Sequence, residues 1–320
     1  MLKACSISRN INRQAVQILR QRDISVDIWN GEKSPSKEEL QELLIIYDIL
    51  IIGVKEKITK DMISNIKNRK IIGTLSIGLN HIEKECFESG LVDIVNCPTA
   101  NVTSVAEHIF ALILDSSKRI QEANDLVIDG KGDKKFLRSK PSDICGKTIG
   151  LVGAGNISSK VVDIANIFQM PILCYTAHPE NHEDFIKRGV KFVNLDELLQ
   201  CSDIVNVSVP LTEQTKNLIS REKVGLLKEN SIFINTSRGE VTDIQALVEF
   251  ADRNPNFYLG LDIDVEQDDE LLSKKRSNVI TTPHIAGCTD EAIQRIYIEC
   301  AENIVKVLEK RKEEKDVGER

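Results

Sequence analysis

The feature that most constrains the fold is a glycine-containing turn between a short apolar segment and a helical pattern. Residues 148–152 are mostly apolar and β-branched, as in a buried parallel strand. Gly153, Ala154 and Gly155 follow directly, and a helical pattern then continues to about Phe168. Backbone N–H groups in such a turn approach a pyrophosphate, whose charge is stabilised by the N-terminus of the helix. The sequence therefore predicts a strand–turn–helix unit that binds a dinucleotide.

The region after the next strand lacks the acidic residue that such a unit usually carries. Pro171 ends the helix, and residues 172–175 are predicted to form the next strand. An acid about 20 residues beyond the glycines commonly binds the adenosine ribose, but Thr176, Ala177 and His178 occupy this region. A carboxylate here would repel the phosphate of NADP, so its absence removes a repulsion of roughly 1–3 kcal/mol. We therefore expect NADP to be accepted, alone or together with NAD.

Composition places the chain among ordinary globular proteins. Its 320 residues are enough for two domains, and 41% of them are hydrophobic and 28% charged. The net charge of −7, without a basic stripe, argues against nucleic acid as a partner. No signal peptide or run of transmembrane length is evident, so we expect a cytoplasmic protein without a membrane partner. The eight cysteines contain no CxxC pair, which argues against structural zinc and disulfides.

Strand and helix patterns alternate along both halves of the chain. The strands predicted in the first half are residues 3–9, 47–54, 70–75 and 91–97. Those predicted in the second half are residues 148–152, 172–175, 203–209, 231–236, 258–263 and 278–282. A long helix over about 104–124 and an exposed loop over 129–143 connect the two halves, and a last helix covers about 289–311. The alternation predicts an α/β fold with parallel sheets, and six strands with a glycine turn after the first predict a doubly wound domain.

Three segments lie at the carboxyl ends of predicted strands in the second half, where ligands bind in open α/β sheets: 235–239, 261–262 and 282–284, with Glu266 as a nearby carboxylate. Arg238 would hold a carboxylate and a carbonyl oxygen together, and His284 would exchange a proton near neutral pH. Glu266 would orient the imidazole and stabilise its charged form. His284 and Cys288 are four residues apart, but no further ligands cluster near them in the sequence, so no metal is expected. Together with a dinucleotide, these residues predict a site for hydride transfer.

Seven sequence motifs occur in order over nearly the whole chain. They are Ser76–Ile82, Asn96–Pro98 with Asn101 and Val105–Glu107, the turn at 153–158, Val209–Thr212 with Thr215, Asn235–Gly239, Leu261–Asp262 and Thr282–Gly287. Their residues and spacing resemble those of the D-isomer-specific 2-hydroxyacid dehydrogenases. That family includes glyoxylate and hydroxypyruvate reductases and phosphoglycerate, D-lactate, phosphite and formate dehydrogenases.

The resemblance implies a role for each motif. It implies that Arg238 binds the substrate and polarises its carbonyl, and that His284 is the general acid and base. It also implies that the backbone at Ser76, Ile77 and Gly78 binds the substrate carboxylate. The residues that it implies at the cofactor are Thr103, Gly153, Gly155, Asn156, Ile157, Thr176, His178, Pro210, Thr215, Thr236, Asp262 and Gly287.

The same resemblance implies two Rossmann-like domains and a homodimer. Residues 1–99 and 289–320 would form a flavodoxin-like substrate-binding domain, and residues 100–288 an inserted NAD(P)-binding domain. The helix that begins near Asn101 would contribute to the dimer interface. Asp262 would contact the carboxamide of the nicotinamide.

The partner of the catalytic histidine remains open between two residues. In the family, a carboxylate lies five residues after the aspartate that corresponds to Asp262, and this position is Gln267 here. Either a one-residue shift makes Glu266 the partner, or Gln267 takes that place, as in formate dehydrogenases. A glutamine does not raise the pKa of a histidine as a carboxylate does. Of the two, we favour Glu266.

The expected reaction is hydride transfer between a nicotinamide cofactor and a small 2-keto or D-2-hydroxy acid, of the glyoxylate or hydroxypyruvate reductase type. A short phosphoglycerate dehydrogenase is an alternative. Gly53 and Val54, followed by Lys55 and Lys57, weaken it because phosphoglycerate dehydrogenases typically carry Arg-Ser there. A dinucleotide-sensing scaffold of the same fold, without catalysis, is the other alternative.

Overall fold

The structure, a computed structural model, describes residues 1–265 and 270–318. It divides into two compact units, Met1–Asn101 with Thr289–Arg320 and Val102–Cys288. Each unit contains one sheet in which every strand pair is parallel. The predicted fold class, two doubly wound α/β domains, is confirmed.

The first unit contains a five-stranded sheet. Its strands are β1 (Leu2–Ser6), β2 (Ile24–Ile28), β3 (Ile49–Ile52), β4 (Lys70–Thr74) and β5 (Val92–Val95), in the order β2-β1-β3-β4-β5. Its helices are α1 (Arg13–Arg20), α2 (Lys37–Ile46), α3 (Lys60–Ile63), α4 (Lys84–Glu88) and α12 (Asp290–Gly318). The sequence analysis missed β2, an edge strand whose polar residues Ser25 and Asp27 interrupt its apolar pattern.

The second unit contains a seven-stranded sheet. Its strands are β6 (Ile149–Val152), β7 (Ile172–Tyr175), β8 (Val190–Phe192), β9 (Ile204–Val207), β10 (Ile232–Asn235), β11 (Tyr258–Asp262) and β12 (Val279–Thr282), in the order β12-β11-β10-β9-β6-β7-β8. Its helices are α5 (Val102–Lys118), α6 (Ile120–Ile128), α7 (Asn156–Ile167), α8 (Glu183–Lys187), α9 (Leu195–Cys201), α10 (Arg221–Val224) and α11 (Ile244–Arg253). The prediction of six strands was wrong by one, because β8 is a three-residue edge strand.

The long helix predicted over 104–124 is two helices in the structure, so that prediction was wrong. The break occurs at Arg119, whose φ of 60° lies in the left-handed region that interrupts an α-helix. The Asp115 carboxylate accepts a hydrogen bond from the N–H of Gln121 at 3.0 Å, at the start of the second helix. The guanidinium of Arg119 packs over the ring of Tyr258, 3.5 Å from its centroid. The break between the two helices is therefore stabilised by the tertiary contacts of the buried Arg119 side chain.

The core of the second unit lies on both faces of its sheet. The central strands β6, β9, β10 and β11 are buried at every position, as expected for parallel strands covered by helices on both sides. Phe233 and Phe257 are fully buried, which stabilises the fold by about 1.5–3 kcal/mol for each side chain.

The cysteines are all free, five of them buried and three exposed, namely Cys145, Cys201 and Cys288. Burial raises the pKa of the Cys174 thiol to about 12, so that thiol is unreactive at neutral pH. Among the described residues, no helix is both long and apolar enough to cross a membrane. The cytoplasmic location stays a prediction.

Candidate active site

The turn after β6 requires glycine at its first position. Gly153 has a φ of +107°, and a Cβ there would lie 2.8 Å from the carbonyl oxygen of Ser208. Ser208 follows β9, which pairs with β6 in the sheet. The chain proceeds from β6 to β7 and β8 on one side and returns to β9 on the other, so the turn lies at the topological switch point. Ligands of doubly wound sheets bind in the crevice at this point.

The second glycine of the turn leaves room for a ligand at the N-terminus of α7. Gly155 is the N-cap residue, and a Cβ built there meets no atom within 4 Å. Thr236, at the carboxyl end of β10, has a buried hydroxyl that has no partner among the described residues. An open cradle at a helix N-terminus and a buried unpaired hydroxyl at the same sheet edge fit a nicotinamide dinucleotide.

The loop after β7 contains a carboxylate that the sequence analysis did not consider. Thr176 and His178 follow the strand as predicted, and Nδ1 of His178 lies 3.1 Å from Oε1 of Glu180. Hydrogen bonds from its own backbone N–H and from His178 lower the pKa of Glu180 below its usual range. Glu180 is therefore a carboxylate at neutral pH, two residues beyond the segment in which an acid was sought.

The loop after β9 is held together by its own hydrogen bonds. The Thr215 hydroxyl donates to the carbonyl of Pro210 at 2.5 Å and accepts from the N–H of Thr212 at 2.8 Å.

Four other residues predicted at the cofactor lie near the ends of helices or strands. Three are in the first turns of helices and one follows the last strand: Thr103 in α5, Asn156 and Ile157 in α7, and Gly287 after β12. Their contact with a cofactor stays a prediction.

Arg238 is held by the residue that ends β10. The side chain of Asn235 is fully buried, and its Nδ2 donates to the backbone carbonyl of Arg238 at 3.0 Å. Its Oδ1 accepts from the N–H and the hydroxyl of Ser237, at 2.9 and 2.8 Å. The half-buried guanidinium of Arg238 donates through Nη1 to the carbonyl of Ser237 at 2.8 Å. Across residues 1–265 and 270–318, Arg238 forms no ion pair.

Asp262 anchors the segment that carries His284. It is fully buried, and its Oδ1 accepts from the Thr282 hydroxyl at 2.6 Å and from the N–H of Ile285 at 2.8 Å. Its Oδ2 accepts from the N–H of Ala286 at 2.8 Å. The predicted contact of Asp262 with the nicotinamide stays a prediction, but the structure adds a role in holding this segment.

A second histidine, His108 in α5, joins this network. Its Nε2 lies 3.1 Å from the Thr282 hydroxyl and 3.9 Å from the Asp262 carboxylate. Since the Thr282 hydroxyl donates to Asp262, it accepts from His108, which is therefore protonated on Nε2. The sequence analysis noted no function for His108, because α5 and β12 are far apart in the chain.

His284 lies between two residues that Asp262 binds and has a φ of 53°. Left-handed backbone at a non-glycine residue costs of order 1–3 kcal/mol and is retained at sites that the surroundings over-determine. Its Nδ1 lies 2.9 Å from Oδ1 of Asp264, a contact that the sequence analysis missed. Glu266 and Gln267, the two partners that it weighed, lie outside the described residues.

Parallel pairing brings Arg238, Asp262 and His284 to one edge of the sheet. Asn235 pairs with Leu261, and Asp262 pairs with Thr282, so β11 lies between the strands that carry the arginine and the histidine. Two strand spacings amount to about 10 Å. A small molecule can therefore be bound by both side chains, at the edge where the glycine turn also lies.

The predicted carboxylate-binding residues belong to the first unit and follow β4. Nδ2 of Asn96 donates to the carbonyl of Ile77 at 2.7 Å. The hydroxyl of Ser76 donates to the carbonyl of Gly78, also at 2.7 Å. The N–H of Cys97 donates to the carbonyl of Ser76 at 2.9 Å. All three carbonyl groups of Ser76–Gly78 are therefore fixed by hydrogen bonds.

Comparison with known proteins is consistent with this geometry. A family model described as "D-isomer specific 2-hydroxyacid dehydrogenase, NAD binding domain" matches residues 110–286, more than half of the chain. A hydroxypyruvate reductase of Thermotoga maritima is 35% identical over 303 residues, which cover 93% of this chain and 96% of the relative. A glyoxylate reductase of Thermococcus litoralis is 31% identical over 309 residues, which cover 93% of this chain and 92% of the relative. A solved structure of an acyclic imino acid reductase in complex with NADPH and D-Arg has a TM-score of 0.84 and 28% identity, covering 97% and 98%.

Proposed function

Because this chain belongs to the D-isomer specific 2-hydroxyacid dehydrogenase family and is an NAD(P)-dependent oxidoreductase, we propose that it reduces small 2-keto acids to D-2-hydroxy acids. The observation that carries the proposal is the placement of Arg238 and His284. They follow strands separated by one strand, at the sheet edge that contains the glycine turn. The alignment of curated reductases over more than nine-tenths of the chain supports the same reaction.

The two side chains divide the work of the reduction. A bound nicotinamide cofactor supplies the hydride. Arg238 binds the substrate carboxylate and carbonyl oxygen and stabilises the negative charge that develops on that oxygen. His284 donates the proton to the oxygen from Nε2, since its Nδ1 faces Asp264. The backbone of Ser76–Gly78 binds the substrate carboxylate in this proposal.

Two carboxylates compete for the role of partner to His284. Asp264 contacts Nδ1 in the structure but is 81% exposed on its side chain, so water screens its charge. The proposal that Glu266 is the partner rests on the sequence. The variants Asp264→Asn and Glu266→Gln distinguish the two, since the true partner supports the protonated imidazole. Loss of the true partner lowers kcat/KM for reduction, whereas loss of the other carboxylate leaves kcat/KM nearly unchanged.

The substrate class is that of glyoxylate and hydroxypyruvate. The relatives quoted above have these activities by name. A short phosphoglycerate dehydrogenase remains the alternative within the family, and Lys55 and Lys57 are the cations of the substrate loop that would meet a phosphate. Preference for 3-phosphohydroxypyruvate over hydroxypyruvate in kcat/KM would favour this alternative.

For the cofactor we propose use of NADP, with NAD as a second cofactor. The absence of an acid at residues 176–178 and the NADPH complex of a similar protein support this. Glu180 opposes it, because its charge would repel a 2′-phosphate bound in this loop. We expect Glu180→Gln to raise the kcat/KM ratio of NADPH to NADH, and to tighten 2′-AMP binding more than AMP binding. A hundredfold preference of the wild type for NADH would contradict the proposal.

We further propose a homodimer in which α6 and the segment after it contribute to the interface. Four large apolar side chains are exposed there, Ile120, Val127, Ile128 and Phe136. Contiguous exposed apolar patches mark interaction sites, and we infer that these side chains form one. We expect Ile128→Asp to convert a dimer into a monomer in sedimentation equilibrium. A monomeric wild type would contradict the proposal.

The experiment that tests the reaction is the Arg238→Ala variant with a panel of 2-keto acids. We expect the wild type to oxidise NADH or NADPH with glyoxylate or hydroxypyruvate. We expect the variant to lose at least a hundredfold in kcat/KM while it binds the cofactor with unchanged Kd. A folded wild type that binds cofactor but is inert toward the whole panel would instead favour a dinucleotide-sensing scaffold.

A further inference from the structure

A continuous chain of hydrogen bonds lies behind the proposed carboxylate-binding residues. Thr74 ends β4 and is fully buried, and its Oγ1 lies 2.8 Å from Nε2 of His81 and 2.8 Å from Oγ of Ser76. The Ser76 hydroxyl in turn donates to the carbonyl of Gly78 at 2.7 Å. The chain therefore runs from His81 through two hydroxyl groups to the backbone of the turn.

The direction of each hydrogen bond follows from counting protons. Ser76 has one hydroxyl proton, which it donates to Gly78, so its oxygen accepts from Thr74. The Thr74 hydroxyl thus uses its own proton on Ser76 and accepts from His81. Burial lowers the pKa of His81 below its usual range, with partial opposition from the Glu56 carboxylate. His81 is accordingly neutral at pH 7 and carries its proton on Nε2.

These bonds fix where the N–H groups of the turn point. A trans peptide directs its carbonyl and its N–H to opposite sides, and no described peptide bond is cis. Side chains hold the carbonyls of Ile77 and Gly78 on the protein side, through Asn96 and Ser76. The N–H groups of Gly78 and of Leu79, which lies one residue beyond the predicted set, therefore point away from those side chains. In the part of the chain that the structure describes, neither has an acceptor.

We propose that His81, acting through Thr74 and Ser76, is a positioning residue that holds this turn in the conformation that binds the substrate carboxylate. The inference rests on the proposed function, because it takes the ligand of the turn to be the carboxylate of a 2-keto acid. It goes further in naming two residues, His81 and Thr74, that touch neither substrate nor cofactor in this scheme.

The kinetic effect of these residues is expected in KM. The substrate carboxylate keeps its charge throughout hydride transfer, so the N–H groups of the turn bind the ground state and the transition state equally. Loss of uniform binding raises KM and leaves kcat unchanged. If these residues served only the stability of the fold, their loss would lower stability without raising KM selectively over kcat.

The test compares variants of Thr74 and His81 in the full-length protein. Thr74→Val and His81→Phe each interrupt the series of hydrogen bonds from His81 to Gly78, whereas Thr74→Ser keeps the hydroxyl and so keeps the series intact. For either breaking variant we expect KM for glyoxylate to rise about tenfold, with kcat and the cofactor Kd changed less than about twofold. The double variant is expected to have the same KM for glyoxylate as either single variant, because both substitutions interrupt the same series of hydrogen bonds. Thr74→Ser should restore most of the affinity.

The matched control is Ser89→Ala in the same unit. The Ser89 hydroxyl donates to the carbonyl of Cys86 at 2.8 Å and accepts from the N–H of Leu91 at 3.1 Å, away from the chain described here. We expect this variant to lose stability but to keep the wild-type KM. A change in KM equal to that of Thr74→Val would overturn the proposal.

Binding of oxamate, a 2-keto acid analogue, is measured by calorimetry on the cofactor complex to separate the two hypotheses. If the wild type turns over 2-keto acids but the folded Thr74→Val and His81→Phe variants keep KM and oxamate Kd within twofold, the positioning role is wrong. If the wild type is inert toward 2-keto acids and does not bind oxamate, the proposed function fails. If Thr74→Val does not fold, His81→Phe and Ser76→Ala decide the question by the same readouts.

Discussion

Asp262→Asn is the substitution for which the structure gives the sharpest expectation. The carboxylate accepts three hydrogen bonds without exposure to water, two on Oδ1 and one on Oδ2. An asparagine keeps one of the two oxygens and has an NH2 group in place of the other. In the orientation that keeps the two hydrogen bonds on Oδ1, this NH2 group faces the N–H of Ala286. One charge-assisted hydrogen bond is lost, which costs about 1.5–3 kcal/mol, and two buried donors oppose each other. Relief of the buried charge offsets part of this cost.

The net loss in the free energy of unfolding is about 3 kcal/mol on these figures. For a unit of 150–250 residues, this corresponds to a fall in Tm of about 6–12 °C. The same bonds hold His284 at its left-handed φ. Release of that segment displaces the imidazole, and a displacement of about 1 Å costs on the order of 100-fold in kcat.

The assay combines thermal unfolding, followed by circular dichroism, with steady-state reduction of glyoxylate at saturating cofactor. Asp264→Asn serves as the control for thermal unfolding alone, because Asp264 is exposed and its loss should change stability by less than about 0.5 kcal/mol. A Tm of Asp262→Asn within 2 °C of the wild type, or an unchanged kcat, would refute the view that Asp262 anchors the catalytic segment.

Three further predictions concern the same residues. Asn235→Leu removes the bonds to the Ser237 and Arg238 backbone, so we expect KM and kcat for the keto acid both to worsen by at least tenfold; unchanged values would show that Arg238 needs no such support. His108→Phe leaves the Thr282 hydroxyl without its donor, and we expect a loss of about 1 kcal/mol in urea denaturation. The lowered pKa of His81 means that the unfolded chain binds its proton more readily, so stability falls as the pH falls from 7 to 5. His81→Gln should reduce this fall, and an identical pH dependence would contradict the buried, neutral state of His81.

The elements that sequence alone identified are those with strong local signals. The strand at 148–152, its glycine turn and the long apolar strands of the second unit are recognisable from period and composition. The turn pattern predicts the glycine at position 153. In the structure, this glycine is required because a Cβ there would collide with the carbonyl oxygen of Ser208. The shared location of Arg238 and His284 could be predicted because parallel strands bring their carboxyl ends to one edge, whereas their catalytic roles stay a prediction.

The elements that sequence missed depend on tertiary contacts. β2 and β8 are short edge strands stabilised by a neighbour on one side. The break at Arg119 depends on a cation stacked over Tyr258, far along the chain. Asp264 and Glu180 are ordinary polar residues in loops, and their hydrogen bonds to histidines appear with the folded loops. The role of His81 follows from a directed hydrogen-bond chain, which no sequence spacing reveals.

The proposed reaction reduces a 2-keto acid to a D-2-hydroxy acid by hydride transfer, with Arg238 and His284 as the catalytic side chains. The most direct measurement follows NADH or NADPH oxidation at 340 nm with hydroxypyruvate and then determines the configuration of the glycerate formed. We expect stoichiometric cofactor oxidation and formation of D-glycerate, with both lost in His284→Ala while cofactor binding persists. Formation of L-glycerate, or full activity in that variant, would contradict the proposal.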